Sequence, residues 1–360
     1  MIPYGRQSIS ADDIEAVVKV LQGDWLTQGP AIDRFEELIA AKTEARYCVA
    51  FANGTAALHA AAAAAGLGPG DTVATTPLTF AASGACARYV GADLTLIDID
   101  PDTLCIDLEK MPPGLDAIVP MHYGGLPVDL EAMPYRPRVV IEDAAHAIGA
   151  RTADGPVGNC AHSDMTIFSF HPVKTITSAE GGAVTTNDTD LADAMRTFRH
   201  HGVQRRPEEG AWYYEIPEVG YNYRITDMQA ALGESQLHRL DQFIARRNEI
   251  AARYRAELAD LPLTLPREPD SPVVHGRHLF PIQVDERRRV HEELKALGVG
   301  TQVHYVPLYR HRAYVGAAVT PEQFPHCEAA YQRLLSLPMF PDLTEAEQGR
   351  VVAALETVLR

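Results

Sequence analysis

DMTIFSFHPVKTITSAEGGAVTTN, running from Asp164 to Asn187, is the stretch on which the reading of this chain turns. Two strand-like runs, Met165 to Phe170 and Gly182 to Thr186, flank a polar loop with a single lysine, Lys174, among small and hydroxylated residues. A lysine held between two sheet strands, with Ser169, His171 and Glu180 close in sequence, points to an amine used for chemistry. Partial burial lowers an ammonium pKa toward the nucleophilic neutral form. Taken alone, the segment is better explained by an exposed loop lysine, so the rest of the chain has to decide.

Upstream, strand-like runs at Tyr47 to Phe51, Thr72 to Thr76, Asp93 to Asp98, Ala117 to Met121 and Val139 to Glu142 alternate at first with helical segments. This pattern predicts an α/β fold: a mostly parallel, buried sheet flanked by helices. Ligands in such sheets bind beyond the carboxyl ends of the strands. Asn53, Gly54 and Thr55, after the first strand, open an alanine-rich helix and combine free N–H groups, a glycine and a hydroxyl, an anion cradle or simply a helix cap. Phe80 follows the second strand and is either core or a stacking face for a planar ring. In EDAAHAIG, Glu142 to Gly149, the carboxylate of Asp143 at a buried strand end needs a cationic or hydrogen-bonding partner. His146 is equally readable as structural or as a ligand contact.

FSFHPVK followed by EGG and a strand resembles the Schiff-base lysine segment of the DegT/DnrJ/EryC1/StrS family of sugar aminotransferases, pyridoxal-phosphate (PLP) enzymes of fold type I. The resemblance runs from IPYGRQSI at the N-terminus to the last helix. It implies PLP held covalently on Lys174 and passing through the pyridoxamine form (PMP), with Asp143 against the ring nitrogen and Phe80 stacked on the ring. By the same resemblance His146 is compatible with the ring hydroxyl, and Gly54, Thr55 and Ser169 hold the phosphate. It further implies a homodimer with composite sites, in which Asn222 reaches the partner's cofactor phosphate. L-glutamate is the implied amino donor and a nucleotide-linked keto sugar the acceptor. A related dehydratase lacks the lysine, so Lys174 counts against that reading, and a non-catalytic PLP-binding regulator fits poorly with Lys174, Asp143, Ser169 and Asn222 together.

Composition sets outer limits. The 360 residues carry a formal net charge of −16, which argues against nucleic acid or an anionic membrane as partner. The cysteines Cys48, Cys86, Cys105, Cys160 and Cys327 are scattered and show no metal-type spacing, as in reduced cytosolic proteins, and no metal site is expected. No signal-like segment opens the chain and Ala56 to Ala65 is too short to span a bilayer, so a cytoplasmic location is expected.

The remaining segments extend the picture. Ser10 to Gln22 reads as an amphipathic helix whose Ile14, Val17, Val18 and Leu21 share a face. The loop WLTQGP, Trp25 to Pro30, leads into a helix over Ala31 to Ala41, and in the family it lies near the sugar-nucleotide site, which makes Thr27 a candidate contact. RHHGVQRR, Arg199 to Arg206, is a basic cluster that reads either as solvated surface, the usual case, or as a docking patch for a diphosphate, and Pro207 to Glu218 reads as a polar, irregular loop. GYNYRITDMQAALG, Gly220 to Gly233, contains Asn222 and Arg224, the latter a substrate or interface arginine. The absence of Gly and Pro from Glu234 to Leu261 predicts one long helix from Thr226 or Asp227 to about Leu258, bridging a large domain (1–245) and a small α/β domain (246–360). In the small domain, strands are expected at Leu279 to Val284 and Gly300 to Tyr305. TQVHYVPLYRH, Thr301 to His311, resembles the matching segment of family enzymes that aminate UDP-linked 4-keto sugars in pseudaminic acid synthesis, which makes His304 and Tyr305 candidate substrate contacts, with structural packing an equal explanation for each aromatic alone. C4 of a UDP-4-keto-6-deoxy-N-acetylhexosamine is the implied acceptor, with amination at C3 or on a dTDP or GDP carrier as the alternative.

Overall fold

The computed structural model describes residues 1–314 and 319–360. Strands β1 (Tyr47–Phe51), β2 (Thr72–Thr75), β3 (Asp93–Leu96), β4 (Ala117–Val119), β5 (Val139–Asp143), β6 (Met165–Ser169) and β7 (Gly182–Thr186) form one seven-stranded sheet in the order β1-β7-β6-β5-β4-β2-β3. All neighbours are parallel except β7, which runs antiparallel to both β1 and β6. The register pairs Phe51 with Gly182, Gly182 with Ser169, and Asp143 with Ile167. The carboxyl ends of β1, β5 and β6 therefore meet at one edge.

The sheet strands are short, rich in Val, Ile and Ala, and β1, β5 and β7 are buried almost throughout, as a sheet covered on both faces requires. Helix α3 (Gly54–Ala64) presents Ala56, Ala57, Ala60, Ala61 and Ala62 to this core, and their small side chains let the helix axis lie close to the strands. On the other face, α2 (Pro30–Thr43) and α6 (Asp227–Leu237) enclose Phe35, Ile39, Phe168 and Phe170. Helix α1 (Ala11–Leu21) begins as expected, with Ser10 and Asp13 forming a reciprocal cap. Its apolar stripe is another matter: Ile14 (59%), Val18 and Leu21 are exposed, and the buried residue is Asp13, which accepts from Ser235, Gln236 and Arg239.

The single long helix expected from Thr226 to Leu258 is two: α6 and α7 (Leu240–Glu257), broken at His238 and Arg239. At the break the Arg239 guanidinium reaches Asp13 and the carbonyl of Ser8, a part-buried ion pair. Leu240, Phe243 and Ile244 of α7 pack with α2 and α6, whereas Ile250, Ala251 and Tyr254 pack in a second core with β8 (Phe280–Gln283), α8 (Arg287–Ala296) and α10 (Glu345–Leu359). β8 pairs with β9 (Leu334–Leu337), a strand not expected from the sequence that follows α9 (Pro325–Arg333). The strand expected at Gly300 to Tyr305 is absent; among the described residues that segment meets β9 at Ser336, through a bridge from Gln302 and a hydrogen bond of the Ser336 hydroxyl with His304 Nδ1 at 2.8 Å. Pro207 to Glu218 is also not simply polar and irregular: Gln204–Arg205 and Tyr214–Glu215 form a short antiparallel ladder around Trp212 (80% exposed). No helix among the described residues is long and apolar enough to cross a membrane.

Candidate active site

The edge where β1, β5 and β6 end opens onto a cavity of ≈ 610 Å³. Lys174 lines it from the loop between β6 and β7. That loop is fastened at its ends rather than free. The Phe170 N–H donates to the Gly181 carbonyl at 2.8 Å, and the Phe170 carbonyl accepts from Ser178 N–H and the Thr177 hydroxyl, both at 3.0 Å. Ile176 is buried beneath it, so the lysine is presented on a fixed turn. Burial brings the Lys174 ammonium from 10.5 down to about 8, against the opposing pull of the Asp143 charge.

Asp143 ends β5 with its side chain buried. Among the described residues no arginine or lysine pairs with it: Oδ2 accepts from the Ser83 hydroxyl at 2.5 Å and Oδ1 from Ala145 N–H at 3.1 Å. Its neighbour Glu142 points to the opposite side of the strand. Burial would raise that carboxyl, but His122 Nε2 (2.9 Å), Ser163 Oγ (2.5 Å) and Thr166 Oγ1 (2.8 Å) outweigh it and hold Glu142 below its ordinary value.

Opposite Lys174 stands a wall of rings. Tyr305 hydrogen-bonds His146 Nε2 at 2.8 Å, the His146 and His278 rings lie 4.3 Å apart, and Tyr4 packs on His304 at 5.3 Å. Phe80 closes the mouth 5.9 Å from Tyr305. Burial first, and then the Lys174 charge, keeps His304 down to about 3, while His146 and His278 are held well below their ordinary value for the same reasons and by each other or their neighbours. All three rings are therefore neutral at pH 7. Behind His278, Arg247 of α7 is fully buried without a carboxylate partner and donates to the carbonyls of Arg277 (3.2 Å), His278 (3.4 Å) and Met339 (3.0 Å); burial brings it down to about 10.

At the third corner, Asn53 caps α3 by accepting from Ala56 N–H at 2.8 Å, leaving the N–H groups of Gly54 and Thr55 without acceptors among the described residues. A Cβ on Gly54 would lie 3.0 Å from Ser169 Cβ and 3.3 Å from its Oγ. Any larger residue there would fill the cradle between helix and serine.

These features meet the requirements of PLP. A dianionic phosphate suits the helix N-terminus with Thr55 and Ser169, a protonated ring nitrogen suits the buried Asp143, and an aldehyde suits an amine already close to neutral. Among the described residues His146 Nδ1 is a buried polar atom without a partner, so the ring wall is polar as well as aromatic.

Of the residues singled out from the sequence, Gly54, Thr55, Phe80, Asp143, His146, Ser169, Lys174, His304 and Tyr305 line this one cavity. Thr27, Asn222 and Arg224 do not. Thr27 bridges Thr226, Asn222 bridges His200 on an exposed segment, and Arg224 donates to His200 Nδ1 at 2.9 Å. Sequence reasoning missed Ser83, Tyr4 and His278. Ser83 lies one helical turn after Phe80 and carries no pattern of its own, and His278 directly precedes a strand that looks purely structural. The five cysteines are all buried and free; burial pushes the Cys86 thiol up to about 12, with Asp143 adding to it.

Sheet order, a strand-end aspartate and a lysine on the β6–β7 loop define a fold type I PLP-dependent enzyme. The model of the DegT/DnrJ/EryC1/StrS aminotransferase family matches residues 7–356, and the chain belongs to that family of PLP-dependent sugar aminotransferases. It is similar to the spore coat polysaccharide biosynthesis protein SpsC of Bacillus subtilis, 36% identical over 100% of this chain and 97% of the relative. Among solved structures it resembles Spr1654 of Streptococcus pneumoniae in its PMP form, with TM-score 0.92, 26% identity and 99% of each chain covered. It also resembles PseC of Helicobacter pylori, an aminotransferase in the biosynthesis of pseudaminic acid, with TM-score 0.91, 27% identity and 99% of each chain covered.

Proposed function

We propose that this sugar aminotransferase moves an amino group from L-glutamate to C4 of a UDP-linked 4-keto-6-deoxy-N-acetylhexosamine, working in the cytoplasm as a homodimer with composite sites. The single observation that carries the amination chemistry is the buried Lys174 amine, facing Asp143 across the cavity and brought to about 8. The choice of sugar is supported by likeness to PseC and by the segment Thr301 to His311, whose His304 and Tyr305 form the cavity wall.

When bound, PLP supplies an electron sink for bond breaking at Cα of the donor and stores the amino group between half-reactions. Lys174 Nζ holds the cofactor between turnovers and, once displaced, accepts and returns the proton at Cα. Asp143 keeps a positive charge on the ring nitrogen. Gly54, Thr55 and Ser169 anchor the phosphate, and the dimer reading adds Asn222 from the neighbouring subunit. Phe80 and His146 fix the ring plane, His304 and Tyr305 contact the sugar, and Thr27 and Arg224 serve the nucleotide end. Among the described residues that line this cavity there is no arginine, whereas both proposed substrates are anions. In the dimer reading a second subunit meets that need with Arg205 and Arg224, since Arg199 and Arg206 are paired with Glu36 and Glu215. In this reading 1–245 forms the cofactor-binding part and 246–360 the smaller domain.

The test is a two-stage assay on PLP-loaded protein: 2-oxoglutarate release on adding L-glutamate, then amination of UDP-, dTDP- and GDP-linked 3-keto and 4-keto sugars followed by mass spectrometry. Amination of the UDP-4-keto sugar, lost in Lys174→Ala, supports the proposal. Preferred turnover of a 3-keto or dTDP- or GDP-linked sugar removes the substrate assignment, and failure to release 2-oxoglutarate removes the donor.

A further inference from the structure

Asp143 is the group the family reaction relies on, yet what determines where its shared proton sits lies one layer behind it. Ser83, in the first turn of helix α4 (Ala81–Tyr89), is fully buried and donates to Asp143 Oδ2 at 2.5 Å. Thr79, also buried, lies 2.6 Å from Ser83 Oγ and 2.8 Å from Met121 Sδ. Proton counting orders this chain. An ionised carboxylate only accepts, so the one Ser83 proton goes to Asp143; Ser83 Oγ must then accept in its bond with Thr79, whose one proton is shared between Ser83 Oγ and Met121 Sδ. The result is a polarised relay, Thr79 to Ser83 to Asp143, ending in a bond of charge-assisted length. Ala145 N–H occupies the other oxygen, so both carboxylate oxygens have a fixed donor.

We propose that Ser83, polarised by Thr79, is a positioning residue that keeps Asp143 in its acceptor-only form, so that the proton shared between Asp143 and the cofactor's ring nitrogen stays on the nitrogen. Two arrangements of that proton compete: carboxylate with protonated ring, or carboxylic acid with neutral ring. Only the first leaves the ring electron-withdrawing. Each donor on Asp143 favours the first arrangement, because a hydrogen bond to the charged form stabilises it over the protonated form. Without Ser83, Oδ2 has no hydrogen-bond donor among the described residues, and the acid form gains. The inference rests on the reading of Asp143 as the ring-nitrogen partner.

The experiment is nitrogen NMR of the full-length protein loaded with PLP carrying 15N in the ring, with PLP affinity measured in parallel. Wild type should give a protonated-ring shift. Ser83→Ala should move the shift toward that of neutral pyridine, the loss of one charge-assisted donor changing the ratio of the two arrangements by about tenfold or more. Ser83→Thr, which retains the hydroxyl, should return the shift to the wild-type position, an outcome that a packing role would not produce. Thr79→Val, close to isosteric, should shift it in the same direction by less. A protonated wild-type ring combined with an unmoved Ser83→Ala shift overturns the Ser83 relay alone. A neutral wild-type ring overturns the Asp143 assignment and the relay with it. If Ser83→Ala does not fold, Thr79→Val decides, and an unmoved shift there overturns the proposal.

Discussion

Burial brings the Lys174 ammonium to about 8, and this fixes how fast the apoprotein captures PLP at each pH. Only the neutral amine attacks an aldehyde. With a midpoint of about 8, about 9% of Lys174 is neutral at pH 7, whereas at the ordinary 10.5 the fraction is about 0.03%, a gain of roughly 300-fold from the site alone. The capture rate, followed by stopped-flow absorbance after mixing apoprotein with PLP, should climb about tenfold per pH unit below 7 and level off above about 8. Asp143 opposes the effect of burial by stabilising the ammonium. Asp143→Asn should therefore move the plateau to lower pH while weakening cofactor retention. A wild-type rate that keeps rising tenfold per unit up to pH 10 would refute the argument, since it would mean that Lys174 titrates as an exposed amine.

A lysine with a lowered folded value destabilises the apoprotein wherever it must be charged. The cost is complete below about 8 and fades as pH rises toward 10.5, so Lys174→Met should stabilise apoprotein by about 1–3 kcal/mol at pH 7, measured by urea unfolding, with a gain that shrinks above pH 8. Glu142, held below its ordinary 4.5, contributes stability that is present above that value and lost as pH falls through its lower folded value; Glu142→Gln should cost about 2–4 kcal/mol at pH 7 and flatten the acid limb of the stability profile. Arg247→Met strands three carbonyls and should cost about 2–4 kcal/mol in chemical denaturation, less than three lost bonds would suggest, because it also removes a buried unpaired cation. Tyr305→Phe removes the bond to His146 Nε2 and should lower stability by about 1–2 kcal/mol.

Much of the sheet could be read from sequence because its strands are continuous apolar runs bounded by breakers: β1 and β7 begin and end where the pattern changes, at Tyr47 and Phe51 and at Gly182 and Thr186. The cavity residues were legible for the same reason, since Gly54, Asp143 and Ser169 all lie at or just beyond strand ends, where a parallel sheet exposes its edge. What escaped depended on contacts between distant segments. The break between α6 and α7 carries no glycine or proline and coincides with Arg239 meeting Asp13, 226 residues away in sequence. The segment Gly300 to Tyr305 alternates like a strand but meets only one residue of β9, so a local pattern found no partner to complete it. Ser83 is one small polar residue on a helix, indistinguishable from a packing serine until β5 is placed beside it.

An aldehyde cofactor is promiscuous by nature, and any amine or thiol it meets is a potential trap. This chain has only five lysines, and among them Lys174 alone lines the cavity. Lys19, Lys42 and Lys110 sit in ion pairs with carboxylates, and Glu15 raises Lys19 further from its reactive form. None of the five thiols is exposed, and even Cys86, near Asp143, is kept protonated. Loading is thus directed to Lys174, the one lysine that lines the cavity, with no thiol exposed to compete for the aldehyde.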